Sequence, residues 1–228
     1  MQPDPRVPGG FGGLWYGVYP ATVIDIDDPE GQGRVKVALP WAADTGDARF
    51  AAWARLATFM AGADRGAWFI PDVDDEVLVA FVAGDPRWPM VIGAVWNGRD
   101  APPESLASGN PIKSLTSRNG VKLTMDDTDG AEVLRLETPG GHTITLDDGG
   151  RSIRIETGSG DTVTLDTSGI KVQTAAKVSV NASTVEISAG MVTVDAGMSK
   201  FSGVVKADTV ITNAVVSASY TPGAGNIW

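Results

Sequence analysis

The chain has no cysteine, a single histidine, and only one of its seven tryptophans beyond residue 100. Without cysteine there is no disulfide, no thiolate metal site and no thiol nucleophile, so packing and backbone hydrogen bonds must hold the fold. No stretch approaches the roughly 20 apolar residues that cross a bilayer. The opening MQPDPRVPGGFGG lacks a basic segment followed by an apolar one, so the sequence predicts a chain made without a signal peptide and kept soluble. Positive charge is also scarce: 18 Lys and Arg face 28 Asp and Glu, for a net charge of −10. That balance opposes phosphate backbones and anionic lipid surfaces, and it argues against nucleic acid as a partner.

What the chain has in quantity is a short repeat. Eight apolar-x-apolar pairs follow one another: Leu134/Leu136, Ile144/Leu146, Ile153/Ile155, Val163/Leu165, Ile170/Val172, Val178/Val180, Val185/Ile187 and Val192/Val194. Their starts are 10, 9, 10, 7, 8, 7 and 7 residues apart, room for one short strand and a tight turn. Side chains alternate along a strand, so both members of a pair share one face, while Arg135, Thr145, Arg154 and Thr164 share the other. The repeat predicts short strands with one dry and one wet face, and the dry face needs a cover. Three copies wound together would bury all sixteen side chains on a common axis, at about 1.5 to 3 kcal/mol for each fully buried one. A single-chain parallel β-helix with coils of about 20 to 25 residues satisfies the periodicity equally well. The early turns are Asp- and Gly-rich, the later ones Ala-rich, so the repeat narrows toward its C-terminal end. Beyond Val194 the pairing loosens.

The first half is built differently. Residues 18–26, 33–39, 51–58, 76–82 and 90–95 are rich in β-branched and aromatic residues and are separated by Asp-Pro and Gly-containing breakers. Five strands in so short a span predict a small closed barrel, of OB or SH3-like type. A Pro-, Gly- and Ser-bearing linker over 101–113 separates it from the repeat. The expected division is an N-terminal arm at 1–16, a barrel at 17–100, the linker, a repeat domain at 114–218 and a tip segment at 219–228.

Four stretches carry a resemblance: Gly33-Arg-Val-Lys-Val-Ala-Leu-Pro-Trp41, Trp53-Ala-Arg-Leu56, Gly66-Ala-Trp-Phe-Ile-Pro-Asp-Val-Asp-Asp-Glu-Val-Leu-Val-Ala-Phe81 and Gly84-Asp-Pro-Arg-Trp-Pro-Met-Val-Ile-Gly-Ala-Val-Trp-Asn97. In order and separation they resemble the OB domain of contractile-tail spike proteins, the family of VgrG and phage baseplate assembly protein V. The resemblance implies an all-β chain, an N-terminal OB-fold barrel followed by an intertwined triple-stranded β-helix, made as a homotrimer. It implies a separate hub protein at the OB end, because only about 16 residues precede the barrel here. It further implies inner-tube and baseplate partners, a PAAR-type tip protein at the other end, and brief contact with a target membrane. Placement within the baseplate of a phage tail-like or injection particle follows.

Candidate sites give little chemistry. His142 lies in a Gly-Gly-His-Thr turn with no Ser-His-Asp spacing around it, and nothing after it supplies the His-x-His tip of some spikes, so no metal or cofactor is expected. Asp72, Asp74, Asp75 and Glu76 read as a charged turn opening a strand. Asp126, Asp127 and Asp129 lack the twelfth-position ligand of a calcium loop and read as turn chemistry. Trp41, Trp53, Trp68, Trp88 and Trp96 on an acidic barrel read as packing and protein contacts, not as a base-stacking platform. Tyr220, Ile227 and Trp228 close the chain on apolar side chains that would cap the last layer or seat a tip protein. The expected function is a structural, non-enzymatic spike that pierces an envelope when a sheath contracts. The alternative is a β-helical glycan-cleaving tailspike using Asp147, Asp148 and Asp166 as its acid and base, and these sit in turns too short to frame a groove.

Overall fold

A computed structural model describes residues 13–40 and 50–218. The chain divides into two units, Met1–Ala176 and Lys177–Trp228. In the first unit, strands β1 (Val18–Asp25), β2 (Val35–Ala38), β3 (Ala51–Leu56), β6 (Glu76–Phe81) and β7 (Pro89–Ala94) close a barrel in the order β1-β2-β3-β7-β6. The two-residue strands β4 (Ala61–Gly62) and β5 (Arg65–Gly66) form a small hairpin outside it. Within the barrel β3 runs parallel to β7 and every other pairing is antiparallel. The third barrel strand thus neighbours the fifth, a Greek-key order that gives the OB type and not a simple meander.

Alternation fills this barrel. Ala21 and Val23, Val35 and Val37, Val77, Val79 and Phe81 each recur at period two and are buried, with Leu39, Ala54 and Val91 completing the core. Register shifts at Val23/Asp25 and Leu78/Val79 are bulges that let short strands curve to closure. Trp15 and Tyr19 pack on Phe81 at ring-centroid distances of 5.1 and 5.7 Å. The β1–β2 loop is organised by Asp28, whose carboxylate accepts from the backbone N–H of Glu30, Gln32 and Arg34 and from the Arg34 guanidinium at 2.7 Å. The Arg34 hydrogen bond, reinforced by those N–H groups, holds the Asp28 carboxyl well below the ordinary aspartate value. Asp85 is lowered to about 2, chiefly by its hydrogen bonds from the Arg87 side chain.

Seven further strands follow: β8 (Ile112–Thr116), β9 (Lys122–Asp126), β10 (Val133–Glu137), β11 (Thr143–Asp147), β12 (Ser152–Glu156), β13 (Thr162–Asp166) and β14 (Gly169–Gln173). Each pairs antiparallel with the next, so the sheet is a meander in sequence order. That connectivity rules out, over β8–β14, the single-chain parallel β-helix the periodicity had left open. Along one edge the same turn recurs. Gly120, Gly141 and Gly160 donate to the carbonyls of Ser117, Thr138 and Thr157 at 2.9 Å, and each of the three glycines has a positive φ. A turn followed by a left-handed glycine is the hairpin with a one-residue bulge, and Ser/Thr-x-x-Gly is its sequence mark.

In the second unit no strand occurs among the described residues, and every one of them is exposed. The backbone bends at Ser183, Gly190 and Gly197, seven residues apart, with one apolar pair between successive bends. This differs from the in-chain hairpins of β8–β14, the last of which also spans a seven-residue step but reverses at Asp166-Thr-Ser-Gly169. Seven-residue steps with no reversal leave a strand no neighbour within its own chain to hydrogen bond with.

The charged forms of Asp28 and Asp85 are favoured by the folded barrel, so the stability they add is complete above the ordinary value of 3.8 and lost as pH falls below it. Tryptophan fluorescence followed from about pH 5 to pH 2 is expected to show that loss setting in below about pH 4. Asp28→Asn is expected to flatten the acid limb and lower the melting temperature at neutral pH.

Candidate functional site

The meander's register sorts its side chains into columns. Leu115, Leu123, Leu136, Ile144, Ile155, Val163 and Val172 stand directly opposite one another strand by strand, forming one apolar column. Met125, Leu134, Leu146, Ile153, Leu165 and Ile170 form a second beside it. The opposite face carries Ser114, Thr124, Arg135, Thr145, Arg154, Thr164 and Lys171 in register. Arg135 and Arg154 pair along their own strands with Glu137 and Glu156 at 2.7 and 3.1 Å. The two faces thus divide dry from wet, as the alternation predicts.

Among the described residues, nothing in the first unit covers the dry face. Leu134, Leu136, Ile144, Leu146, Ile153, Ile155 and Leu165 are each 36–43% exposed, whereas the barrel core is 0–7% exposed. At the barrel end the face deepens into a groove of about 740 Å³ bordered by Leu115, Leu123, Leu136, Ile144, Ile155 and Phe69. The ten sequence-predicted core residues from Leu134 to Val172 lie together on this face. Val178, Val180, Val185, Ile187, Val192 and Val194 lie in the second unit and are exposed as well. Sequence reasoning missed Leu115, Leu123 and Met125. Leu123-x-Met125 obeys the pair rule eleven residues upstream of Leu134, and was the available signal.

The remaining candidates are structural in their contacts. His142 accepts from the Gly158 N–H at 3.3 Å, tying adjacent turns. In the acidic turn, Asp72 pairs with Arg118 at 2.8 Å, Asp74 lies at positive φ with its carbonyl accepting from Arg99, and Glu76 accepts from Asn97. The Arg118 contact joins the sheet's first turn to the barrel. Asp126 accepts from the Thr128 N–H and hydroxyl, which hold its carboxyl low, and Asp127 pairs with Lys113. Asp147 accepts from the Gly150 N–H, Asp148 lies in the same turn, and Asp166 accepts from Ser168 twice and is lowered for that reason. Among the described residues no three His, Cys, Asp or Glu side chains converge on a metal position. Trp53 lies beneath Arg34, 5.7 Å from ring centroid to guanidinium. Trp68, Trp88 and Trp96 face solvent. Trp41, Tyr220, Ile227 and Trp228 lie outside the described residues.

A closed barrel attached to a sheet with one uncovered apolar face defines a protein of multichain β-assemblies, whose core is completed from outside the chain. Comparison gives the family. Residues 19–96 match the type VI secretion system/phage-baseplate injector OB domain, and residues 133–198 match the phage baseplate V C-terminal trimerisation domain. The chain belongs to this baseplate V family of injector proteins. Among curated relatives, the type VI secretion system spike protein VgrG4b of Pseudomonas aeruginosa is 35% identical over 144 residues, 61% of this chain and 16% of that protein. VgrG1a of the same organism is 34% identical over 111 residues, covering 45% and 17%. The spike protein VgrG3 of Vibrio cholerae is 36% identical over 129 residues, covering 51% and 12%. The chain thus spans less than a fifth of the length of these relatives.

Face and opposite face make different demands on substitution. Ile144→Asp places a carboxylate on the apolar column and is expected to abolish any assembly built on it. Thr145→Asp, one residue on and facing the other way, is expected to leave the mass unchanged, with light scattering as the measurement.

Proposed function

We propose that three copies of this chain form the central spike of a contractile injection apparatus, with the paired apolar columns of each copy meeting on a common axis. The uncovered two-column face carries this reading. It supplies the apolar surface that a matched trimerisation domain requires, and it stands next to a barrel matched to injector OB domains. The sixteen predicted core side chains, from Leu134/Leu136 to Val192/Val194, are then shared among copies. In the second unit, strands of one copy would hydrogen bond with strands of the other two, which supplies the ladder partners that steps without a reversal deny within one chain.

The barrels would attach to a separate hub protein and so to the inner tube and baseplate. The C-terminal end, with Tyr220, Ile227 and Trp228, would cap the last layer or seat a PAAR-type tip protein. Sheath contraction would drive the assembly through the target envelope, and the spike would transmit that work without turnover. The relatives' names support the setting, since each is called a spike protein of type VI secretion. One further relative is named an actin cross-linking toxin, and only 9% of its length is covered by this chain. In the glycan-cleaving alternative, Asp166, held in its charged form by Ser168, fits only the base or nucleophile, and the general acid would have to be Asp147 or Asp148.

Light scattering of the purified chain is expected to give about 71 kDa, three times the 23.7 kDa protomer. A stable 23.7 kDa species would overturn the proposal, and reducing sugar released from envelope polysaccharide would favour the enzyme instead.

A further inference from the structure

The barrel carries a second apolar surface. Between β3 and β6 residues 57–70 form a strap, stitched down where the Ala57 N–H donates to the Val91 carbonyl at 2.8 Å. The strap closes on itself through the Thr58 hydroxyl donating to the Ala67 carbonyl at 3.1 Å and the Ala67 N–H donating to the Met60 carbonyl at 2.9 Å. The β4–β5 hairpin forms its tip. Held in this way, the strap presents Phe59, Trp68 and Phe69 to solvent at 87, 74 and 69% exposure.

These rings are not loose. The six-membered ring of Trp68 lies on Gly33 so closely that a methyl group there would stand 2.9 Å from Cζ3, and Gly33 itself has a φ of 70°. One face of the indole is therefore seated on the β1–β2 loop and the other is open. Phe69 borders the same groove as Leu123, Leu136, Ile144 and Ile155. From Phe69 a second cleft of about 730 Å³ runs along the barrel past Ile70 and Val91 to Arg118 and Val121. Strap and sheet face thus meet at Phe69, which borders both clefts.

We infer that the strap belongs to the interface between copies of this chain, and that a second copy covers Phe69 and Trp68 where the sheet faces meet. The inference rests on the trimeric reading and extends it from the shaft onto the barrel. Leu136, Ile144 and Ile155 lie within the matched trimerisation region, and Phe69 shares their groove, so a chain that covers those three residues leaves no water over Phe69. The structural consequence is a fixed barrel. With Arg118 paired to Asp72 on its own chain and the strap clamped by a neighbour, each barrel is tied to the shaft at two places, and axial load passes between them without a hinge.

The absence of cysteine makes the test clean, because a single introduced thiol has no background. Phe69→Cys is compared in the purified full chain with Leu106→Cys, a reference position that is 86% exposed. Maleimide labelling is expected to be about tenfold or more slower at position 69 than at 106, and to reach the reference rate once Ile144→Asp is added. Equal rates in a sample that light scattering shows to be trimeric would overturn the inference and leave the trimer standing, pointing to a hub protein as the occupant. A monomeric parent sample would remove the trimeric reading together with it. Protection that persists in a monomeric Ile144→Asp background would mean that the chain covers its own strap, which also overturns the inference. If Phe69→Cys does not assemble, Met60→Cys at the strap is read by the same comparison.

Discussion

The structure depends on an apolar sheet face that the described residues of its own unit do not cover. A sheet with one dry side is stable only when another layer lies against it. In the meander of β8–β14 the barrel reaches only the first strands, and among the described residues of the unit the two columns from Leu136 and Leu134 onward have no layer opposite them. Everything else follows from the need to cover that face without closing the sheet on itself. The wet face is kept polar by Thr, Arg and Glu in register, which leaves a single direction for association. The Ser/Thr-x-x-Gly hairpins keep the strands at five residues, so the face stays two side chains wide.

Two kinds of order meet in the chain. In the first unit the backbone satisfies itself: the barrel closes its edges and each meander strand pairs with its sequence neighbour. In the second unit the repeat persists in the side chains, while bends every seven residues replace reversals. Backbone N–H and C=O groups in extended chain need partners. Here the partners must be water or another chain. The change comes where Asp- and Gly-bearing turns give way to Ala-rich ones, so turn chemistry sets where in-chain pairing stops.

The barrel's loops are tied by short-range charged contacts. Asp28 gathers three N–H groups and one guanidinium into a single loop, and the acidic turn at 72–76 is engaged by Arg118, Arg99 and Asn97. Groups that looked like chemistry in the sequence are thereby occupied with structure. The same holds for Asp126, Asp147 and Asp166, each of which accepts hydrogen bonds from its own turn. Carboxylates in such turns are fixed by short-range partners.

Much of this was legible in the sequence because it rests on local periodicity. Alternation put Ile144 and Ile155 on the same face, since period two is a property of the strand itself. Leu123 and Met125 obeyed the rule as well but lay before the point where repetition made it visible, whereas Leu115, flanked two residues away by Lys113 and Ser117, did not. The exposed strap at 57–70, with Trp68 seated on Gly33 and Phe69 on the rim of the groove, was not legible, because those contacts join residues far apart in sequence. The order of the barrel strands and the antiparallel register of the meander were likewise settled only in three dimensions, where closure and hydrogen-bond pairing select one arrangement among several that share the same alternation. The sequence by itself determined which side chains are dry. Only the tertiary structure decided that no described part of the same unit covers them.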